Sequence, residues 1–148
     1  MRRPRVVGIG SSHGDDQVGW LILDSLRDQG YPTTHLQRLI NPIDLLDDIE
    51  PSDSLILCDA CQSGDERGTI KSLTWPVDSA QCFQLRSSHQ FGIFAVLELA
   101  KQLQRCPNSI EIWAVTGVDW RPGAIPGSLM NSAAQVVAEL IIRKYGDA

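Results

Sequence analysis

No stretch of this sequence stays apolar for anything near the roughly 20 residues that span a bilayer, so a membrane-spanning protein is excluded. No secretory leader is expected either. Two arginines stand in Met1 to Pro4, but the following Val6-Val7-Gly8-Ile9-Gly10 is too short and too rich in glycine for an apolar leader core. Cytoplasmic residence is therefore expected. The four cysteines, Cys58, Cys61, Cys82 and Cys106, do not make a disulfide scaffold in a chain of 148 residues, and a reducing compartment keeps them as thiols. Clustered basic residues are lacking too. A net charge of −5 with scattered Lys and Arg sits badly with phosphate backbones, which leaves a protein or a small molecule as the expected partner and no nucleic acid or membrane. Internal repeats, linkers and low-complexity tracts are absent. Residues 1–148 read as a single, monomeric domain with 43% apolar residues, enough for a real core but too short for a separate substrate domain.

What is there is an alternation of strands and helices. Arg5 to Gly10 is a short apolar run ending in glycine; Ser11 to Asp16 follows as loop and helix cap, and Val18, Leu21, Ile22 and Leu26 then repeat at helical spacing until Gly30 and Pro32. Thr33 to Leu39 reads as a weaker strand, and Asn41-Pro42 opens a short helix through Ile49 with Asn as cap. Leu55 to Cys58 is apolar without alternation, which predicts a strand covered on both faces that ends at Asp59. Between Ala60 and Gly68 there is no room for a crossover helix, so the strand from Thr69 to Trp75 is expected to run antiparallel to a neighbour. Ser87 or Ser88 caps a helix with Ile93, Val96, Leu97, Ala100 and Leu103 on one face; Ile110 to Val115 is a further strand; Ala133 to Ile141 marks a last amphipathic helix. The sum is an α/β chain, a three-layer α/β/α sandwich around a five-stranded, mostly parallel but mixed, twisted sheet. Ligand sites in such folds lie beyond the carboxyl ends of the strands.

Three polar clusters occupy that kind of position. Gly8-x-Gly10 resembles half of a dinucleotide fingerprint, but the third glycine arrives one residue late at Gly14, and Asp15 and Asp16 stand where a pyrophosphate would meet the helix. Either of these acids serves as a cap or as a functional group, and the segment alone does not choose. Asp59 follows an apolar strand at the mouth of the sheet, where it either accepts loop amides or belongs to a site. Cys58 and Cys61 have C-x-x-C spacing, yet they straddle a strand instead of opening a helix, and no second ligand pair accompanies them. Alternation puts Asp59 and Cys61 on one face and Cys58 on the other, so Cys58 fills core and Cys61 is expected to line the site. His89 sits in the polar run Ser87-Ser88-His89-Gln90-Phe91-Gly92, whereas His13 and His35 have no comparable context. Two carboxylates and one imidazole converging at strand ends would hold a metal with positions open for water or substrate.

In their order and spacing these clusters resemble the nickel-iron hydrogenase maturation endopeptidases. The matching stretches are Val7-Gly8-Ile9-Gly10 through Gly14-Asp15-Asp16-Gln17-Val18-Gly19, Leu57-Cys58-Asp59-Ala60, Gly68-Thr69, and Ser88-His89-Gln90-Phe91-Gly92, which together span nearly the whole chain. The resemblance implies that Asp16, Asp59 and His89 are both the catalytic centre and the metal ligands. It implies removal of a C-terminal extension from a hydrogenase large-subunit precursor, with the nickel supplied by that precursor; other divalent ions would occupy the site in vitro. Two departures stand out: Ser11 replaces the usual Asn after the second glycine, and Arg38-Leu39-Ile40-Asn41-Pro42 replaces the usual Gly-Gly-Thr after the second strand, where substrate is expected to be read. A divergent subgroup is the expectation. The alternatives are a docking module that recognises the loaded precursor without cutting it, and a nucleotide-binding domain using Gly8-x-Gly10.

Overall fold

Val6 and Val7 are neighbours in sequence and belong to opposite faces of one sheet, and that alternation organises the molecule. The computed structural model describes residues 3–76, 86–87 and 92–146. Its strands are β1 (Arg5–Ile9), β2 (Leu36–Leu39), β3 (Leu55–Gln62), β4 (Ile70–Trp75), β5 (Arg86–Ser87) and β6 (Ile110–Thr116). The helices are α1 (Val18–Asp28), α2 (Ile93–Gln102) and α3 (Ser128–Tyr145). The strand order is β2-β1-β3-β6-β4. The β1–β2, β1–β3 and β3–β6 pairs are parallel, and β4 runs antiparallel to β6, as the short link before it requires. The two-residue β5 adds an antiparallel pairing to Cys61 and Gln62.

One face of the sheet, with Val6, Ile56, Cys58 and Val115, packs on Val18, Ile22 and Leu26 of α1 and on Met130, Ala134, Val137 and Ile141 of α3. The other, with Val7, Ile9, Leu55, Leu57, Ile110 and Ile112, packs on Val96, Leu97 and Ala100 of α2 and on Leu45 and Ile49 of the β2–β3 connection. Each fully buried Leu or Ile in these layers contributes roughly 1.5–3 kcal/mol of transfer free energy. Helix α1 stops where Gly30 takes a φ of +96°, which lets the Tyr31 amide reach back to the Leu26 carbonyl at 2.9 Å. No helix among the described residues is long and apolar enough to cross a membrane.

Four expectations are corrected in detail. β2 begins only at Leu36, because β1 offers partners from Val6 to Ile9 and no further, and Thr33–His35 forms a 3-10 turn instead. The predicted helix from Asn41 is a 3-10 turn over Pro42–Asp47, closed by Asp44 N to Asn41 O at 3.1 Å, and the Asn41 side chain does not cap it. β3 does not end at Asp59: it continues to Gln62, because β6 pairs with it as far as Cys61 opposite Thr116. Ser87 lies in β5 and not at a helix start, and α2 begins after Gly92; Ser88, the alternative cap, lies outside the described residues.

Candidate active site

The turn that carries Asp16 folds back over the end of β1. Gly10 donates its amide to the Leu39 carbonyl at 2.9 Å, prolonging the sheet by one bond, and the chain then turns so tightly that a Cβ on Gly10 would stand 2.6 Å from the Asp16 carbonyl oxygen. Residues Gly14–Gln17 form a 3-10 turn ahead of α1, whose first residues carry no side-chain cap; neither Asp15 nor Asp16 is the helix cap that the sequence allowed. Asp16 is 5% exposed, and its Oδ2 accepts the Ser11 hydroxyl at 2.6 Å. Ser11 Oγ in turn accepts the His13 amide at 3.2 Å. The departure at Ser11 therefore still furnishes a hydrogen bond to the predicted ligand. His13 itself is exposed.

Asp59 is 3% exposed and lies within β3, opposite Ala114 of β6. On its other edge β3 pairs with β1 as far as Cys58 and, among the described residues, with β5 at Cys61 and Gln62. The Asp59 Oδ1 accepts the Ala60 amide at 2.8 Å. By alternation Asp59 shares its face with Leu55, Leu57 and Cys61, the face covered by α2. Cys58 is fully buried on the opposite face among α1 and α3 side chains, where burial, with the Glu111 and Asp59 charges adding to it, pushes its thiol pKa up. Cys61 is buried on the Asp59 face, 3.9 Å from the Thr116 hydroxyl, and burial outweighs that contact to raise its pKa too. Lying on opposite faces of one strand, these thiols form neither a redox pair nor a zinc half-site.

The residue that sequence reasoning left undecided is Asp15. It is fully buried and accepts five donors: Arg67 Nε at 2.9 Å, Val118 N at 2.8 Å and Asp119 N at 3.2 Å on Oδ2, with Arg67 Nη2 at 2.7 Å and Gly127 N at 3.2 Å on Oδ1. Burial alone would raise its pKa, but the guanidinium and the three amides outweigh it and hold the carboxyl below its ordinary value. Arg67, from the β3–β4 connection, was not singled out in the sequence at all. The available signal was the glycines around the pair. A Cβ on Gly117 would stand 2.7 Å from the Asp15 Cβ, one on Gly127 2.5 Å from the Arg67 Cζ, and Gly14, at φ +58°, would meet the Asp119 carbonyl at 2.2 Å.

Gly8 and Gly10, the half fingerprint, are explained by packing. A Cβ on Gly8 would stand 2.4 Å from the Gly19 carbonyl oxygen in α1, and Gly10 lies under the Asp16 turn. With two buried carboxylates at the end of β1, the segment offers no cradle for a pyrophosphate. Asp16 and Asp59 have the oxygen chemistry that a divalent metal takes. The predicted imidazole ligand, His89, lies outside the described residues, which resume with Gly92 before α2. Among the described residues no group of three His, Cys, Asp or Glu side chains forms a metal site.

The chain is similar over nearly its full length to solved hydrogenase-processing proteins. It superposes on the hydrogenase maturating endopeptidase HybD from E. coli with a TM-score of 0.75 at 22% identity, covering 99% of this chain and 93% of that one. Against the NiFe hydrogenase maturation protease HybD from Thermococcus kodakarensis the TM-score is 0.72 at 18% identity, with 97% and 99% covered. Against the HycI protease from Thermococcus kodakarensis KOD1 it is 0.67 at 19% identity, with 95% and 90% covered. At these identities the likeness establishes the shared fold. No curated protein matches the chain. The sequence model for HycI, hydrogenase maturation protease, matches residues 40–142, a span that includes Asp59 and His89. The chain belongs to the hydrogenase maturation protease family.

Proposed function

We propose that this chain is a nickel-dependent endopeptidase of the cytoplasm, acting as a monomer to remove the C-terminal extension of a nickel-iron hydrogenase large-subunit precursor after metal insertion. The observation that carries the reading is the presence of two buried carboxylates on separate elements past the carboxyl end of β1, Asp16 on the turn that follows that strand and Asp59 within β3, one residue beyond its last pairing with β1. Carboxylate oxygens are the donors that a divalent ion takes, together with imidazole nitrogen. His89 is the third ligand in this reading; its place in the chain, between β5 beside Cys61 and the start of α2 on the Asp59 face, supports that role.

The nickel arrives with the precursor in this account, as part of the substrate. Bound by Asp16, Asp59 and His89, it would supply Lewis acidity toward the scissile carbonyl and toward water. The chain's own part is positional. Ser11 donates to Asp16 and fixes its orientation, and Ala60 N does the same for Asp59. The altered segment Arg38–Pro42 borders the same edge. Arg38 is held by Asp24 at 2.6 Å and lies 5.1 Å over the Trp20 ring, while Ile40 beyond it is 58% exposed. An apolar side chain fixed at the rim suits contact with a protein substrate.

Incubation of the purified chain with nickel-loaded and nickel-free precursor, read by mass spectrometry, tests the proposal. Shortening of the loaded form alone is expected. Binding of the loaded precursor without cleavage would replace the proposal with the docking-module reading.

A further inference from the structure

Asp15 stands next to the proposed ligand Asp16, yet its two oxygens take five donors, which exhausts the four or so acceptor positions of a carboxylate. It has no capacity left for a metal. Its donors come from two other parts of the chain: Arg67 from the connection that leaves β3, and Val118, Asp119 and Gly127 from the loop between β6 and α3. Those segments are laced to the Asp16 turn a second time through the backbone. Asp15 N donates to Asp119 O at 2.7 Å, Gly14 N to Ala124 O at 3.2 Å and Gly123 N to Ser12 O at 3.2 Å, and Gln17 Nε2 reaches Ala124 O at 3.0 Å. On the Arg67 side, Gly117 N donates to Cys61 O at 3.0 Å and the Ser63 and Thr116 hydroxyls meet at 2.7 Å.

We propose that the Asp15–Arg67 ion pair is the positioning device of the metal site, fixing the turn that bears Asp16 against the strand that bears Asp59. The inference rests on the metal reading given above. Stability alone does not account for the pair: Asp15 is fully buried and Arg67 is 30% exposed, and an ion pair that takes a carboxylate out of water is often no better than apolar residues filling the same volume. What it adds is orientation. The planar guanidinium meets the carboxylate through two parallel bonds, a geometry that permits one docking angle. The bare glycines Gly14, Gly117 and Gly127 let backbone close around the pair from three sides. Of the adjacent acids, Asp15 holds and Asp16 ligates.

The test uses the full chain and Ni2+ alone, with affinity read by calorimetry and stability by thermal melting. Arg67→Lys keeps the charge and loses the two-bond geometry; Asp15→Asn keeps the shape and loses the charge. Both are expected to weaken Ni2+ binding about tenfold to a hundredfold, the usual effect of losing a group that orients a ligand. The double variant is expected to bind no more weakly than the worse single one. Ile141→Val, a buried change in α3 away from the site, lowers the melting temperature and leaves the affinity alone. Wild-type affinity in both Arg67→Lys and Asp15→Asn, with only the melting temperature reduced, would reduce the pair to a structural brace and overturn the proposal. Additive losses in the double variant would also overturn it. If Asp15→Asn does not fold, Arg67→Lys decides. Asp16→Asn separates this inference from its premise: undiminished Ni2+ binding in that variant would remove the metal reading itself, whatever Arg67 does.

Discussion

Gly8 and Gly19 stand in contact where α1 crosses β1, so that a Cβ on Gly8 would lie 2.4 Å from the Gly19 carbonyl oxygen. Gly19 is equally confined, with 2.3 Å to the Ile9 carbonyl oxygen and 2.8 Å to that of Cys58. The close approach sets the height of the Asp16 turn above β1 and β3. Because the opposing atoms are backbone, they cannot swing aside as a side chain would. Gly8→Ala and Gly19→Ala are each expected to destabilise by about 3 kcal/mol or more, the upper end of overpacking costs, read as a lowered urea midpoint. A midpoint unchanged in either variant would contradict this packing.

Acid should act through Asp15. Its folded pKa lies below the ordinary 3.8, so the stability it contributes is fully present above that value and is lost as pH falls through the lower folded pKa. Urea melts at a series of pH values should therefore show wild type and Asp15→Asn far apart at neutral pH and converging below 3.8. A gap that is constant across the acid range would mean that the carboxylate charge is not what holds the turn.

The three cysteines among the described residues should be quiet. Cys58 and Cys61 are buried and both have raised pKa values, and half-buried Cys106 is raised by burial as well, so few thiolates are present near neutrality. Alkylation of the native protein followed by peptide mapping should leave Cys58 and Cys61 unmodified until denaturant is added. Rapid labelling of either, or a disulfide between them, would restore the redox reading of their C-x-x-C spacing.

Substrate selection should respond to the rim without touching the fold. Ile40→Asp removes an exposed apolar side chain, so its stability cost should stay within about 0.5 kcal/mol, while KM for the precursor rises and kcat is preserved. An unchanged KM would remove Ile40 from the docking surface.

The layers of the sandwich were legible in the sequence because they depend on local alternation: Val6 against Val7 and Ile56 against Leu57 declare two covered faces, and the Val18–Leu26 stripe declares α1. The end of β3 was not legible. Whether a strand continues past a carboxylate depends on the length of its partner, and only the pairing of β6 up to Thr116 carries β3 on to Gln62. The same holds for Asp15 and Arg67, separated by 52 positions in the chain and joined by tertiary structure alone. Asp16 and Asp59 were legible as candidates because polar residues closing apolar runs are conspicuous; both are buried, Asp59 inside β3 and not at the strand end that was expected. His89 was singled out by its loop context and lies outside the described residues.

In the proposed function Asp16 and Asp59, with His89, form one cleaving centre. Its most direct measurement is cleavage of nickel-loaded precursor by Asp59→Asn, a change that keeps the side chain's size while removing its charge, with circular dichroism to verify the fold. A folded variant that leaves the precursor uncut, its rate down by at least about a thousandfold, roughly 4 kcal/mol of barrier, is the predicted result. A folded Asp59→Asn protein that trims the loaded precursor at the wild-type rate would contradict the account.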